Sequence, residues 1–566
     1  MLPRCWLLIL LLGGAAMAVT SGGYDRETAH PHSSRSAVMG THGMVCASQP
    51  LAAQAGLDVL RRGGNAVDAA IAANAVLGLL EPMNCGMGGD LFAIVWDGKT
   101  KKLYGLNASG RSPYATSVKV YTDQGMDKMP GRGPLSWSVP GCVDGWVSLL
   151  DRFGTWKLSQ VLAPAIRYAE EGVPLPEIVG TDFQDAEKEL LKHPCADCYL
   201  PGGKAPRVGQ IFRNPELAAS YAMVAKGGRA TFYRGEIARR IVKYSKEVGG
   251  LFSLKDFADH TSTWVEPVGI NYRGYKVYEL PPNGQGMAAL EILNVMKGYD
   301  LRAMGRDSAD FAHLYVEAKK LAWADRARWY ADPDFAKLPL KGLLSDSYAA
   351  KQRARIDMKK AAAVVEPGDP WEEKLDDTVY LCAADGAGNA ISLIQSNAGG
   401  WGSYEVPDHL GFVIQNRGGA FSFDPARPTY LRPHMRPFHT IIPAFVTKGG
   451  KPWFCFGVMG GAMQPQGHAQ VLIIMIDFGM DPQQAADYAR LRHDGESDPS
   501  GSATEGTGQV SLESGYSDEV RAELEARGHK LRTGGFFGGY QGIQFLPGGV
   551  LVGATEVRLD GCAAGF

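Results

Sequence analysis

The chain has 566 residues, of which 45% are hydrophobic and 21% charged, a composition typical of a folded globular protein. The formal net charge is -2, and basic residues are dispersed among acids rather than gathered in a stripe. The sequence therefore gives no sign of a nucleic-acid partner. A length of this kind favours three or four domains, but no Ser/Pro-rich linker separates them, so one large unit is equally compatible.

The first 18 residues have the pattern of a secretion signal. Arg4 supplies the positive start, residues 5–12 form an apolar run, and residues 16–18 form a small-x-small cleavage site. A membrane anchor would need about 20 apolar residues, whereas two glycines follow this run at positions 13 and 14. We therefore predict cleavage, a secreted or otherwise extracytoplasmic location (extracellular or periplasmic), and no stable membrane span.

Cysteines are too sparse for a disulfide scaffold: nine are present, one of them in the predicted signal. Cys195 and Cys198 are close enough in sequence to form a local bridge in an oxidising compartment. A zinc site would need two further ligands that the neighbourhood does not offer. We expect neither a metal nor a cofactor.

The segment after the polar N-terminal region predicts two helices. Residues 49–62 have apolar positions at helical spacing, with Pro50 in the first turn and two glycines following the last residue. Asn65 is suited to cap a second helix that runs to about Leu80. A glycine-rich stretch over residues 85–90 then leads into a strand over residues 91–96. The order strand, GxGxxG, helix is missing here, which argues against a dinucleotide-binding fold.

The middle of the chain, residues 141–358, is predicted to be mainly helical. Amphipathic stretches lie at residues 215–224, 311–331 and 347–358. The pattern ends in residues 365–377, which contain prolines, glycine and several acids. This composition indicates an exposed, irregular connection.

A hairpin follows that connection. Residues 378–384 and 390–396 are strand-like, and residues 385–389 form a turn with two glycines. A five-residue turn pairs Ala384 with Ala390 and, continuing outward, Thr378 with Ser396. A hydroxyl at the start of a strand, beside a second hydroxyl, is what an autocatalytic N-terminal nucleophile requires. An ordinary edge hairpin, in which the threonine only favours strand formation, remains the alternative from the hairpin alone.

Four segments together resemble the γ-glutamyltransferase family in order and spacing. They are residues 49–89, the Thr378 hairpin, residues 436–443 (Arg-Pro-Phe-His-Thr-Ile-Ile-Pro) and residues 457–461 (Gly-Val-Met-Gly-Gly). The resemblance covers nearly the whole mature chain. It implies an α+β fold, the four-layer αββα sandwich of N-terminal-nucleophile hydrolases. It also implies a signal at 1–18, a large subunit at 19–377 and a small subunit at 378–566.

The resemblance also implies a reaction and a site. Thr378 matches the nucleophile that forms an acyl-enzyme from a γ-glutamyl amide such as glutathione, after which water or an amino acid accepts the acyl group. Ser396 matches an assisting hydroxyl, and Gly460 and Gly461 match the glycines whose amides form the oxyanion hole. His439 and Thr440 match two serines that contact the substrate carboxylate.

Several positions depart from the family pattern. Ala420 stands where the family places an acid for the substrate's α-amino group, and Arg417 stands where a neutral or acidic side chain is usual. Ser109 replaces the family's carboxylate-binding arginine, with Arg111 two residues further on. Arg111 and Arg417 are therefore candidates for binding a carboxylate, with a structural ion pair as the equal alternative. Residues 378–380 read Thr-Val-Tyr rather than Thr-x-His, which resembles the divergent γ-glutamyltransferase-like branch.

Three functions remain open at this point. The first is an enzyme for γ-glutamyl amides, and the second is an acylase or amidohydrolase for another carboxylate-bearing amide. The third is a non-catalytic secreted binding protein with the same fold, which self-cleavage before Thr378 would exclude. Asn107 also begins a glycosylation sequon, usable only in a eukaryotic secretory pathway.

Overall fold

The structure is a computed structural model that describes residues 33–370, 381–495, 499–500 and 506–566. Its helices are α1 Pro50–Arg61, α2 Ala66–Leu80, α3 Val118–Thr122, α4 Cys142–Phe153, α5 Leu158–Glu171, α6 Glu177–Leu190, α7 Ala196–Tyr199, α8 Pro215–Tyr233, α9 Glu236–Glu247, α10 Leu254–Ala258, α11 Gly286–Met296, α12 Leu301–Met304, α13 Ala309–Trp329, α14 Leu340–Leu343, α15 Asp346–Arg353, α16 Met463–Ile476, α17 Pro482–Asp487 and α18 Asp518–Ala526. Its strands are β1 Val38–Gly40, β2 Gly43–Ala47, β3 Asp90–Asp97, β4 Lys102–Ala108, β5 Val173–Pro174, β6 Ile211–Phe212, β7 Thr263–Val265, β8 Val268–Tyr272, β9 Tyr275–Glu279, β10 Leu381–Asp385, β11 Ala390–Ser396, β12 Ala444–Lys448, β13 Lys451–Val458, β14 Leu491–Asp494, β15 Gln509–Leu512, β16 Leu531–Arg532, β17 Tyr540–Phe545, β18 Leu551–Thr555 and β19 Cys562–Gly565.

Two antiparallel sheets of seven strands each form the centre of the molecule. The first sheet has the order β19-β2-β10-β11-β3-β4-β7, and the second has the order β1-β18-β17-β13-β12-β9-β8. Because side chains alternate along a strand, Leu91 and Ala93 of β3 join the core under α1 and α2, whereas Phe92 and Ile94 join the core of the second sheet. Helices α11 and α16 pack on that second sheet, and α13 packs on α11. The layers are therefore helix, sheet, sheet, helix.

The two predicted N-terminal helices are confirmed as α1 and α2. Asn65 accepts hydrogen bonds from the amides of Val67 and Asp68, and the Asp68 carboxylate accepts one from the Asn65 amide at 2.9 Å. This reciprocal capping satisfies amides that have no partner within the helix. Every residue of α2 is buried, and its alanines allow α1 and the first sheet to approach closely.

The predicted hairpin register is confirmed where the structure describes it. Leu381 pairs with Leu393, and Ala384 pairs with Ala390. Continued outward, this register places position 378 opposite Ser396. Thr378 lies outside the described residues, so that last pairing stays a prediction.

The middle of the chain is mainly helical, as predicted, and the first two amphipathic stretches coincide with α8 and α13. The first part of the third stretch coincides with α15, which ends at Arg353 rather than at residue 358. Helix α8 breaks at Gly228, where φ is 58°. The prediction omitted β7, β8 and β9. These strands are short and partly exposed, and β7 and β8 form sheet edges. Pairing with β4 and β12, rather than a local pattern, therefore decides their structure.

The possible bridge between Cys195 and Cys198 is not formed. All eight cysteines in the described part of the chain are free thiols. Burial raises the pKa of Cys195 to about 12. Both residues belong to the helical turn around α7, where Asn214 Nδ2 lies 3.5 Å from Cys198 Sγ.

The predicted signal, residues 1–18, lies outside the described residues. Across the described ranges, none of the helices combines the length and the apolar character that crossing a bilayer requires.

Candidate active site

Ser396 is the last residue of β11, and its register partner is Asp90 at the start of β3. The Ser396 hydroxyl accepts a hydrogen bond from the Ala398 amide at 2.9 Å. The glycine-rich stretch before β3 runs directly against this strand end. A Cβ added to Gly89 would lie 2.3 Å from the Ser396 carbonyl oxygen, so only glycine fits there. The glycine therefore brings Asp90 next to Ser396.

Asp90 organises the backbone around Ser396. Its Oδ1 accepts hydrogen bonds from the Gly110 amide at 2.8 Å, the Gly141 amide at 3.1 Å and Gln415 Nε2 at 2.9 Å. The Asp90 side chain is completely buried, and a buried carboxylate is tolerated when its acceptor sites are used. These three donors fix three separate loops relative to β3.

His439 lies on the other oxygen of the same carboxylate. Its Nε2 is 2.9 Å from Asp90 Oδ2, and both side chains are completely buried. The ring also meets Phe92 edge-on at 5.0 Å between centroids. Burial, assisted by the positive charge of Arg417, lowers the pKa of His439 to about 4 in spite of Asp90. The imidazole is therefore neutral at pH 7. Its predicted contact with a substrate carboxylate stays a prediction.

Arg417 places its guanidinium between two predicted site hydroxyls. Its Nη2 donates to Ser396 Oγ at 3.3 Å, and its Nη1 donates to Thr440 Oγ1 at 3.0 Å. Arg417 begins the 3-10 turn Arg417–Ala420 and is only 4% exposed. The structure thus brings Ser396, Arg417 and Thr440 together, although no one of them is near another in sequence. A guanidinium in this position has the shape to bind a carboxylate.

Gly460 and Gly461 form the turn between β13 and α16. Their φ angles are 120° and 58°, in the region that favours glycine. The Gly460 carbonyl accepts a hydrogen bond from Met463 at 3.0 Å, and the Gly461 carbonyl accepts one from Gln464 at 3.1 Å. Among the residues that the structure describes, no acceptor takes a hydrogen bond from the amide of either glycine. Bound carbonyls and free amides are features that an oxyanion hole requires.

Gln285 links this turn to Thr440. The fully buried Gln285 side chain donates from Nε2 to the carbonyl oxygens of Gly461, at 2.9 Å, and of Thr440. Arg326 Nη1 donates to Gln285 Oε1 at 2.5 Å. That contact sets which end of the amide faces the two carbonyls. One glutamine therefore holds the diglycine turn and the Thr440 segment at a fixed separation.

The remaining predicted site residues are Arg111 and Thr378. Arg111 Nη2 lies 3.4 Å from Asp334 Oδ2, an ion pair whose acid is 60% exposed. Arg436 Nη1 lies 3.8 Å from the same oxygen. Arg111 thus contacts an acid of the protein itself, and its binding to a substrate carboxylate stays a prediction. Thr378, the predicted nucleophile, lies outside the described residues.

The Asn107 sequon is buried rather than displayed. Asn107 is 5% exposed, and its Nδ2 donates to Asn283 Oδ1 at 2.9 Å. Asn283 in turn donates to the Pro437 carbonyl at 2.8 Å and accepts from the His439 amide at 2.8 Å. The folded protein therefore uses Asn107 to position the segment that carries His439.

One group of potential metal ligands lies among the described residues: His313, Glu317 and His529, with ligand atoms within 4.8 Å of one another. His313 Nδ1 is 2.8 Å from His529 Nε2, and its Nε2 is 2.8 Å from the Asp357 carbonyl. Glu317 pairs with Lys320 at 2.7 Å. These side chains already bind one another and the backbone, and the neighbouring ammonium disfavours a cation.

Asp90, Gln285, Gln415 and Asn283 are site residues that the sequence analysis missed. Asp90 did carry a signal, because an acid at the start of an apolar strand, after two glycines, has no simple structural role there. The amide residues gave no comparable signal. Each acts on backbone groups that are remote in sequence, so only the folded chain shows what they bind.

The fold and the site geometry define a class of protein. An αββα sandwich with a hydroxyl at the end of a central strand and a diglycine turn between β13 and α16 has the architecture of the N-terminal-nucleophile hydrolases.

Comparison with known proteins gives the family. The chain matches the Gamma-glutamyltranspeptidase family over residues 52–566. It is 37% identical to the glutathione hydrolase-like YwrD proenzyme of Bacillus subtilis (strain 168), covering 94% of this chain and 99% of that protein. It is 33% identical to the acylase ACY 1 proenzyme of Pseudomonas sp. (strain SE83), covering 92% and 93%. Among solved structures, the cephalosporin acylase from Bacillus halodurans superposes with a TM-score of 0.88 at 41% identity, covering 96% and 99%.

The chain therefore belongs to the γ-glutamyltranspeptidase family. It is an enzyme of the N-terminal-nucleophile hydrolase class, and relatives of this kind are made as proenzymes. The predicted fold class and family are confirmed.

Proposed function

We propose that the chain matures by cutting itself before Thr378. The Thr378 hydroxyl attacks the Asp377 carbonyl, the acyl group moves from nitrogen to oxygen, and water hydrolyses the resulting ester. This step releases a large subunit ending at Asp377 and a small subunit with a free amine on Thr378. The proposal is supported by the β10–β11 register, which continues toward Ser396, and by relatives that are proenzymes.

In turnover, the free amine of Thr378 takes the proton from its own hydroxyl, which attacks the carbonyl carbon of a substrate amide. The amides of Gly460 and Gly461 stabilise the oxyanion, and the leaving amine departs with a proton. The ester on Thr378 is then attacked by water, which releases the acid, or by an amino acid, which forms a new amide. Ser396 assists from the facing strand end.

We infer that the acyl part of the substrate carries a carboxylate. The observation that carries this inference is the position of Arg417, which is buried and within hydrogen-bond distance of both Ser396 and Thr440. A carboxylate bound there would replace the weaker contacts of the guanidinium with hydroxyls by a charged, bidentate pair. Thr440 would keep a donor hydroxyl beside the same carboxylate.

Two substrate classes fit this site, and they differ in one group. A γ-glutamyl amide such as glutathione has an α-amino group, whereas a glutaryl-type acyl group has only the carboxylate. Ala420 supplies no charge for an ammonium group. We therefore propose an acylase or amidohydrolase that accepts acidic amides lacking the α-amino group, with γ-glutamyl amides as the second class.

The pattern of residues 1–18 supports export of the precursor, with maturation outside the cytoplasm. An N-terminus of the mature large subunit close to residue 19, in an extracytoplasmic fraction, is the expected result. Retention of residues 1–18 on the mature protein would contradict it.

Maturation is tested by replacing Thr378 with alanine. The parent should separate into two chains, with Thr378 as the N-terminus of the smaller one, and Thr378→Ala should remain one chain. The measurement is N-terminal sequencing of the purified protein. Cleavage of Thr378→Ala at the same bond would exclude attack by this hydroxyl.

Substrate class is tested by comparing a γ-glutamyl amide with its deaminated glutaryl analogue. The parent should process both, and Arg417→Gln should lower kcat/KM for the glutaryl amide by about tenfold to a hundredfold, the loss of one charged hydrogen bond. Arg239→Gln, on the exposed face of α9, serves as the control. Strong selectivity of the parent for the γ-glutamyl amide would mean that another acid binds the ammonium group.

A further inference from the structure

Phe536 stands directly against the diglycine turn. A Cβ added to Gly460 would lie 2.8 Å from Phe536 Cε1, so the ring packs over this residue. At the same time 49% of Phe536 is exposed. An isolated exposed aromatic residue needs no explanation by itself. One that rests on a turn with free amides is placed to contact whatever those amides bind.

The backbone of Phe536 is held in place. Arg492 Nη1 donates to the Phe536 carbonyl at 2.7 Å, and Arg492 is itself bound to Asp494 at 2.8 Å. The next residue, Phe537, is buried at 8% exposure. The segment is therefore anchored at the Phe536 carbonyl and at Phe537, while the Phe536 ring stays open to solvent.

The position of the ring indicates which part of a substrate it meets. Gln285 ties the Gly461 carbonyl to the Thr440 carbonyl, so the group formed by Arg417 and Thr440 lies on the Gly461 side of the turn. Phe536 lies on the Gly460 side. With the substrate carbonyl oxygen at the two amides, the acyl carboxylate extends toward Arg417. The leaving amine then extends in the opposite direction, toward Phe536.

We propose that Phe536 is a specificity residue that contacts the leaving group, and that the preferred substrates are acidic amides of aromatic or other flat, apolar amines. The inference rests on the proposed function. An aromatic ring offers both apolar area and favourable stacking to such a group. It offers neither to ammonia as a leaving group. The same contact would favour aromatic amines over water as acceptors of the acyl group.

The test compares two substrates with the same acyl group, glutaryl anilide and glutaryl amide. Phe536→Ala should lower kcat/KM for the anilide by about tenfold and for the primary amide by less than about twofold. Phe536→Tyr should keep the parent ratio because it keeps the ring. Leu254→Ala, which removes an equally exposed apolar side chain from α10, is the matched control and should leave both values unchanged.

The change in the ratio of the two kcat/KM values between the parent and Phe536→Ala distinguishes the outcomes, because comparing the two ratios cancels the intrinsic reactivity of the leaving groups. A loss by the same factor on both substrates would leave the ratio unchanged. That result would show that the ring only supports Gly460, and it would overturn the assignment while leaving the proposed function intact. Failure of the self-cleaved parent on every acidic amide would overturn both proposals. Self-cleavage of Phe536→Ala at the parent rate verifies that the variant folds.

Discussion

Two regions near the end of β11 differ in how far their polar groups are hydrogen-bonded. On one side, Asp90 binds three donors through one oxygen and faces His439 with the other. On the other side, the carbonyls of Gly460 and Gly461 are bound while their amides, within the described structure, donate to nothing. Both regions are formed by loops between strands and helices. They differ in that Oδ1 of Asp90 already accepts three hydrogen bonds, whereas the two glycine amides are not used.

This difference separates residues that hold the fold in place from groups that are available to act on a substrate. A buried oxygen that accepts three hydrogen bonds resists movement, because breaking any one of them leaves an unsatisfied donor. Free amides held rigidly by bound carbonyls can instead meet a charge that develops during a reaction, without reorganisation. We therefore expect substitutions in the diglycine turn to affect turnover, and substitutions around Asp90 to affect stability.

The largest expected effect is at Gly461. Valine there would conflict with a φ of 58° and displace the amide, so Gly461→Val should lower kcat on the order of 100-fold or more. Gly479→Val is the matched control, since that glycine has a φ of 71° and, like Gly461, open space around its Cα. Steady-state kinetics of both variants check the prediction. Near-normal turnover of Gly461→Val would locate the oxyanion hole elsewhere.

A smaller effect is expected from Asp90→Asn, which keeps the shape of the side chain and removes its charge. An amide N–H replaces the carboxylate oxygen that faces His439, so the contact with His439 requires the other tautomer of the imidazole, and the loop amides lose a charged acceptor. The free energy of unfolding should fall by about 1 to 3 kcal/mol, measured by denaturant titration. The kcat of the folded fraction should change by less than about tenfold. If Asp90→Asn abolished turnover without changing stability, Asp90 would act on the reacting groups rather than hold the fold in place.

The smallest effect concerns pH and His439. Its pKa in the folded protein is lowered from the usual 6.5 to about 4 by burial and by Arg417. The unfolded chain therefore binds more protons than the folded one between these values, so stability is lost as the pH falls through that window. Between pH 7.5 and pH 5.5 the parent should lose about 1 kcal/mol through this group.

His439→Gln should show a shallower loss of stability over that pH range, whatever its stability at neutral pH. The exposed His42→Gln variant provides the control. Melting temperatures measured at several pH values supply the comparison. Equal pH dependence of His439→Gln and the parent would mean that His439 is not the neutral, buried group described above.

Sequence patterns predicted much of the fold near the site. The bounds of α1 and α2 follow from Pro50, from the Asn65 cap and from helical spacing, all of which act within a few residues. The β10–β11 register follows in the same way, because a five-residue turn fixes the pairing of both strands. The diglycine turn at 460–461 was identified by resemblance, and its positive φ angles show why glycine is required there.

Other features depended on contacts between remote segments. Strands β7 to β9 were not predicted, since short, partly exposed strands gain their structure from neighbouring strands rather than from an apolar pattern. Gln285 and Asn283 gave no local signal, because their partners are backbone groups more than 150 positions away.

The sequence by itself therefore determined the ends of α1 and α2 and the β10–β11 register, because these depend on periodicity, capping and turn length. Its resemblance to the γ-glutamyltransferase family implied the layered fold and the residue types available for chemistry. Only the tertiary structure decided that Arg417 reaches Ser396 and Thr440, that Asn107 is buried, and that Phe536 stands beside Gly460. These outcomes depend on which loops meet at the end of β11. The packing of the two sheets, together with buried hydrogen bonds between segments far apart in the chain, determines which loops contact one another there.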